Sequence, residues 1–199
     1  MNEPLVYIYA DESCLGNQFR NRRRPGAAAG LVERYEPERG WRRKDYFRAE
    51  ADTTNNRMAI VSGILGLSAL RRSCRVVFTS DSEYLVNGMK SWIHSWARKG
   101  WRRKGGRIEN LELWKHLAAE ASRHEIEWRW TRGHADHPKN EYVDMLAVRA
   151  AREGRRSPGL VESEFEAWLQ EQIALGRFAE FVDLPPEQPF RPDPRAPAV

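Results

Sequence analysis

The chain has 199 residues, only two of them cysteine, with 41% hydrophobic and 31% charged residues. That length supports one packed domain with room for an appendage, and two cysteines are too few for a disulfide framework or a thiolate metal cluster. The apolar runs are a handful of residues long, well short of the roughly 20 that a bilayer-spanning helix needs. The N-terminus lacks the basic-then-apolar layout of a secretory signal. A cytoplasmic, reduced, monomeric protein without a membrane partner is expected. Charge is uneven along the chain: residues 1–156 carry 30 Lys/Arg against 20 Asp/Glu, and residues 157–199 carry 3 against 8. A body that basic attracts polyanions at long range, nucleic acid among them.

In chain order, Leu5–Ala10 has the β-branched and aromatic bias of a strand, with Asp11 at its end. Residues 14–25, with Gly, Asn, Pro and four arginines, read as a loop. Two more strands are expected over 27–33 and 41–51, giving an antiparallel meander. Thr53-Thr-Asn-Asn56 offers helix caps, and Met58, Ile60, Val61, Ile64, Leu65, Leu67 and Leu70 supply an apolar helical face. Residues 75–80 read as a buried parallel strand ending at Asp81. Helices are expected near 82–98 and 110–123, a fifth strand over 126–131, a loop over 132–139 and a helix over about 140–153. The order β-β-β-α-β-α-α-β-α implies an α/β domain: a five-stranded mixed sheet, three antiparallel strands plus parallel ones, flanked by helices. A boundary is expected at 156/157. Beyond it, residues 162–175 suit one acidic helix, and 184–199, with six prolines, suit an extended or disordered stretch.

Asp11 and Asp81 each follow an apolar strand, and Asp144 lies in the last helix of the domain. Taken singly they read as a turn residue, a helix cap and a solvated helix position. Taken together, strand-end carboxylates on neighbouring strands converge beyond the carboxyl edge of an open sheet. Clustered carboxylates repel unless a cation lies between them or their pKa values rise, and hard oxygen ligands suit Mg²⁺ or Mn²⁺.

Several stretches in register sharpen this reading. Asp11-Glu-Ser-Cys-Leu-Gly-Asn17, Thr53-Thr-Asn-Asn-Arg-Met58 and Thr79-Ser-Asp81-Ser-Glu-Tyr84 come first. Trp92-Ile-His-Ser-Trp96, Lys99-Gly-Trp-Arg-Arg103 and Asn110-Leu-Glu-Leu-Trp114 follow, then Gly133-His-Ala-Asp-His-Pro-Lys-Asn-Glu-Tyr-Val-Asp144. In this order, over about residues 5–153, the chain resembles the bacterial type 1 ribonucleases H. The resemblance implies a ribonuclease H-like fold and an endonuclease that hydrolyses the RNA strand of RNA–DNA hybrids. It implies two Mg²⁺ (or Mn²⁺) ions roughly 4 Å apart, with Asp11 bridging, Asp81 and Asp144 each holding one, and His134 assisting proton transfer or product departure. It assigns hybrid binding to Asn17, Thr54, Asn55 and Asn56, which can read 2′-hydroxyls or phosphates. Trp92, Lys99, Arg102, Arg103 and Lys104 would do the same on a helical basic protrusion. The tryptophans there are expected to be mainly structural and the basic run mainly phosphate-binding.

The match breaks at one letter. The family's metal-site glutamate follows Asn-Asn-Arg-Met, and here Ala59 stands in its place. Three explanations compete: a deliberate substitution, a natural branch with three carboxylates (holding two ions or one) or a recruited acid, and a hybrid-binding module that has lost hydrolysis. Glu12, where the family has Gly, is the first recruit to consider, although strand alternation points it away from Asp11. Glu50 and Glu83 come after it. The extension's Phe165, Trp168, Leu169, Ile173, Phe178 and Phe181 suit docking on the domain or on a protein partner. Its negative charge is expected to compete with nucleic acid, so that removing residues 157–199 tightens hybrid binding at low salt.

Overall fold

The computed structural model describes residues 3–16, 24–133, 137–185, 189–197 and 199. Strands β1 (Leu5–Cys14), β2 (Gly26–Glu36) and β3 (Gly40–Glu50) form the antiparallel meander, while β4 (Arg75–Ser80) and β5 (Glu125–Trp130) run parallel to β1. The sheet has six strands in the order β5-β4-β1-β2-β3-β6, not five. The added strand, β6 (Val161–Glu162), comes from the C-terminal extension and pairs with Lys44 and Asp45 of β3. A two-residue strand carries no periodicity, so the pairing is invisible in a pattern reading.

Helices cover both faces. On one face α1 (Asn55–Ser68) and α4 (Leu111–Ala121) bury Ile8, Ile60, Leu67, Val76, Phe78, Trp114 and Leu117 against the sheet. On the other face α5 (Pro138–Glu153) buries Tyr142, Val143 and Leu146 against Tyr7, Tyr9, Ala29 and Leu31. Thr54 caps α1, its hydroxyl accepting from the Arg57 backbone N–H at 3.2 Å. Gly154 ends α5 in the left-handed conformation, at φ 65°. Gly30 admits Tyr46: a Cβ there would lie 2.3 Å from the ring, which is buried with its hydroxyl donating to the Ser62 carbonyl at 2.9 Å.

The single helix expected over 82–98 is instead three pieces: α2 (Glu83–Asn87), a π-helical turn (Gly88–Trp92) and α3 (Ile93–Arg98). The turn brings the Gly88 backbone against the Trp114 ring, where a Cβ would lie 2.1 Å away. An inserted residue of this kind resets the helix face. Trp92, Trp96, Trp114 and Tyr84 then meet with ring centroids 5.3–6.4 Å apart.

The extension lies on the body. Helix α6 (Phe165–Ala174) places Phe165, fully buried, edge-on to Tyr142 at 5.4 Å. It begins at Phe165 rather than 162, after a turn in which the Glu164 backbone N–H donates to the Tyr142 hydroxyl at 3.1 Å. Farther on, the Asp193 carboxylate accepts from the Trp128 N–H at 2.8 Å and the Asp193 N–H donates to the Ile126 carbonyl at 2.8 Å, along the outer edge of β5. Several of the extension's acids are spent locally. Glu162 pairs with Lys44, Glu164 with Arg149, and Glu166 and Asp183 with Arg43. Among the described residues, Asp193–Lys90 at 3.3 Å is the ion pair that ties the extension to the π-helical turn at the base of the protrusion. No helix among the described residues is long and apolar enough to cross a membrane.

Candidate functional site

The parallel pairing of β1 with β4 ends at Ala10–Ser80. β1 runs on to Cys14, past the end expected at Ala10, whereas β4 stops at Ser80; Asp11 inside β1 and Asp81 just after β4 therefore both stand where the parallel pairing opens. α5 packs across β1 and β2 and brings Asp144 to the same place. The resulting cavity, about 150 Å³, is lined by Asp11, Glu12, Asp81, Gly133, Asn140, Glu141 and Asp144 among others. The three predicted aspartates therefore meet.

Glu12 meets them too. Its neighbour across β2 is Ala28, on the α1 face, whereas Asp11 opposes Ala29, on the α5 face. Alternation holds, yet the oxygens of Asp11, Glu12 and Asp81 all lie within 4.8 Å of one another. The gap past the end of β4 is reached from both faces of β1. Glu50 and Glu83 do not join: Glu50 accepts from Arg57 Nε at 2.7 Å, and Glu83 is exposed in the first turn of α2.

Crowding shows in the electrostatics. Burial first, then the charges of Asp81, Glu12 and Asp144, push Asp11 up to about 9, against a lowering hydrogen bond from the Glu12 N–H at 2.6 Å. Burial and then Asp81 push Glu12 up to about 8, with a hydrogen bond from Ser82 working the other way. Glu12 Oε2 is buried with no hydrogen-bond partner. Such an oxygen costs stability unless something positive reaches it. Ala59, by contrast, is fully buried in the apolar cluster under Ala10 and Ile60.

The sequence assigns no role to two polar cavity residues, Asn140 and Glu141, and Gly133 reads there only as part of the histidine loop. Asn140 and Glu141 precede Asp144 by four and three positions, so helical spacing alone could have found them. Asn140 Nδ2 donates to Thr131 Oγ1 at 3.3 Å. At Gly133 a Cβ would lie 2.7 Å from Asp81 Oδ2. Gly133→Ala is therefore expected to displace the Asp81 carboxylate while burying nothing new. Cleavage should fall roughly 10-fold or more, with the thermal midpoint moving by no more than a few degrees; unchanged kinetics would show that the carboxylate has slack.

Of the residues expected to bind nucleic acid, Thr54 spends its hydroxyl on the helix cap. Asn55 holds a buried, unpartnered amide oxygen and Asn56 is exposed. Lys99, Arg102, Arg103 and Lys104 are exposed around a turn that needs φ 59–62° at Trp101 and Gly100. Trp92 is half-buried in the aromatic cluster, which fits the mainly structural role expected of the tryptophans. Asn17 and His134, and all but Arg24 of the arginine-rich stretch 18–24, lie outside the described residues.

Comparison with known proteins agrees with this fold. The family model for RNase H matches residues 3–152. A ribonuclease HI of Neisseria meningitidis is 44% identical over 153 residues, covering 76% of this chain and 97% of its own. A ribonuclease H of a Shewanella species is 42% identical over 164 residues, covering 81% and 95%. Among solved structures, LC9-RNase H1, described as a type 1 RNase H with the type 2 active-site motif, superposes with a TM-score of 0.90. It is 45% identical and covers 100% of this chain and 96% of its own. The PFV RNase H domain, 17% identical with a TM-score of 0.61, shares the fold over 77% of this chain and 96% of its own. With a strand-edge cluster of carboxylates on this sheet and relatives of this identity over nearly their full length, the chain belongs to the ribonuclease H family and is a ribonuclease H-type enzyme.

Proposed function

We propose that the protein is a divalent-cation-dependent endonuclease that hydrolyses the RNA strand of RNA–DNA hybrids, with Asp11, Glu12, Asp81 and Asp144 as its acidic set. The observation that carries this reading is the buried, unpartnered Glu12 oxygen beside Asp11 and Asp81. Four carboxylates lining one small cavity fit a cation, because without one Asp11 and Glu12 hold protons at neutral pH. Asp11, Glu12, Asp81 and Asp144 would hold Mg²⁺ or Mn²⁺, two ions or one. Bound there, the cation supplies charge neutralisation at the scissile phosphate and a more acidic attacking water. LC9-RNase H1, with a site motif of the other type on this fold, supports the idea that the acidic set can be rearranged.

The chain's own residues do the rest. Asn55 and Asn56 at the start of α1 contact sugar and phosphate of the hybrid, as does Asn17. Lys99, Arg102, Arg103 and Lys104 hold a strand by its phosphates, with Trp92 supporting their platform. His134 moves a proton beside the leaving oxygen. The body comprises residues 1–156; residues 157–199 dock on it in a monomeric, cytoplasmic enzyme. A non-hydrolytic binding module is the weaker alternative, since Glu12 restores the carboxylate that Ala59 lacks.

The test is cleavage of a labelled hybrid beside duplex DNA, with Mg²⁺ or Mn²⁺, in the parent protein and in Asp11→Asn. Cation-dependent cutting of the RNA strand alone, lost in Asp11→Asn, is expected. Hybrid binding without cutting would favour the binding module. At limiting cation the rate should climb between pH 6 and about 9, because Asp11 and Glu12 must give up their protons first; a flat profile would show that neither acid is protonated in the resting protein.

A further inference from the structure

The extension touches the helix that carries Asp144. In the first turn of α5, His137, Lys139 and Glu141 each meet one residue of the segment 177–183. Arg177 pairs with Glu141, which lines the acidic cavity. The Phe181 ring lies edge-on to His137 with centroids 5.8 Å apart, and His137 stacks on Tyr9, two residues before Asp11, at 5.7 Å. Asp183 Oδ1 lies 3.1 Å from Lys139 Nζ, Asp183 Oδ2 accepts from Arg43 Nη2 at 2.5 Å, and the Asp183 carbonyl accepts from Trp41 Nε1 at 2.9 Å.

Any one of these contacts would be unremarked on a surface. Asp183, however, reaches two cations that are not on the surface. Lys139 and Arg43 are buried and share one buried anion, Glu33. Without Asp183 and Glu166 the pocket would hold two cations against one carboxylate, and a buried charge stripped of its partner is strongly unfavourable. Seating Lys139 natively thus requires the extension to be in place. Lys139 is the second residue of α5, and Asn140 and Asp144 follow on the same helix. The segment lies beyond residues 3–152, the stretch that matches the family model.

We propose that residues 177–183 are a positioning strap for the reaction. By fixing the first turn of α5 through Glu141, Lys139 and His137, they set the placement of Asp144 and Asn140 against Asp11 and Asp81. Asp183 and Phe181 are then positioning residues, acting through α5 without touching substrate. The proposal rests on the reading of Asp144 as a cation ligand.

The test uses the full chain with Phe181→Ala and Asp183→Asn combined, at a temperature where circular dichroism shows complete folding. Small misplacements of a catalytic group cost rates disproportionately. Mn²⁺ affinity of the protein alone, read by electron paramagnetic resonance, should weaken roughly 10-fold. The kcat on hybrid should fall by a similar factor, roughly 10-fold, with KM little changed. Asp183→Glu, which keeps the charge, should recover most of both. Asp193→Ala, which loosens the extension from β5 instead, should leave Mn²⁺ affinity and kcat at parent values. Parent values in the double variant, or equal losses in Asp193→Ala, would overturn the strap. Asp144→Asn separates the two readings: full activity there overturns the site assignment, whereas inactivity there beside an unaffected double variant overturns the strap alone.

Discussion

Glu12→Gln is expected to abolish most cleavage of the RNA strand, by upwards of about 100-fold in kcat, while leaving the protein folded. Groups that merely orient a metal ligand typically cost 10–100-fold when removed, so loss of a direct ligand should exceed that. Ala59→Glu alone should bring no gain, because it adds a buried charge to an apolar cluster under an already crowded acidic cavity. Combining Glu12→Gly with Ala59→Glu rebuilds the arrangement of the resembled enzymes and should recover activity relative to Glu12→Gly. A steady-state series on one hybrid reads all of these. Activity in Glu12→Gln within a few-fold of the parent would mean that three aspartates suffice.

The same substitution has a stability signature of definite sign. Burial, and then Asp81, push Glu12 up to about 8, whereas in the unfolded chain it titrates near about 4.3. Across that window the folded cation-free protein holds a proton that the unfolded chain releases. The group's contribution is full below the unfolded value and is lost as pH rises through the folded one. Urea midpoints of the cation-free parent should therefore fall between about pH 5 and 8, and those of Glu12→Gln should fall less. Saturating cation should remove the advantage of the variant, because ligand binding to the folded parent offsets the repulsion.

Phe165→Ala is expected to destabilise the protein by about 3–5 kcal/mol, the usual range for deleting a buried aromatic. At this chain length that lowers the thermal midpoint by on the order of 10 °C. The ring is fully buried, edge-on to Tyr142, with the Arg43 guanidinium 4.8 Å above it. Removing residues 157–199 altogether should do worse. It strips β6 from β3, opens Tyr142, and leaves Arg43 and Lys139 facing Glu33 alone. Loss of cooperative melting is the expected result, replacing the simpler sequence-based idea that truncation tightens hybrid binding by removing negative charge. A truncated chain that melts cooperatively within a few degrees of the parent would show the body to be self-sufficient.

Much of the site was legible in the sequence because its geometry is local. Asp11 stands where the apolar run of β1 stops and Asp81 just past the end of β4, and such positions on adjacent parallel strands share an edge; Asp144 sits on a helix whose motif runs unbroken from Gly133. Glu12 resisted the same reasoning. Alternation correctly puts it on the opposite face from Asp11, and only the termination of β4 at Ser80, nearly 70 residues later, lets both faces open onto one cavity. The interruption at Gly88 was equally hidden, since it depends on the Trp114 ring approaching from another helix. The extension's place on the body rests on pairs such as Arg43–Glu166 and Lys139–Asp183. Residues so far apart in the chain leave no periodic trace, and acids next to apolar residues read equally well as a partner-binding tail.

Both flanks of the sheet are closed by the same extension. On one side Ser157, Val161 and Glu162 bond along Lys44–Phe47, and on the other Asp193 bonds to the backbone of Ile126 and Trp128. Strand flanks with unsatisfied amides are templates for fibril growth and for swapping between copies. Here such growth must first peel the extension away, exposing Phe165 and stranding two cations in the process. Colloidal stability of this protein is thus tied to the same segment that braces its helix, and samples that lose the extension to proteolysis should be the ones that aggregate.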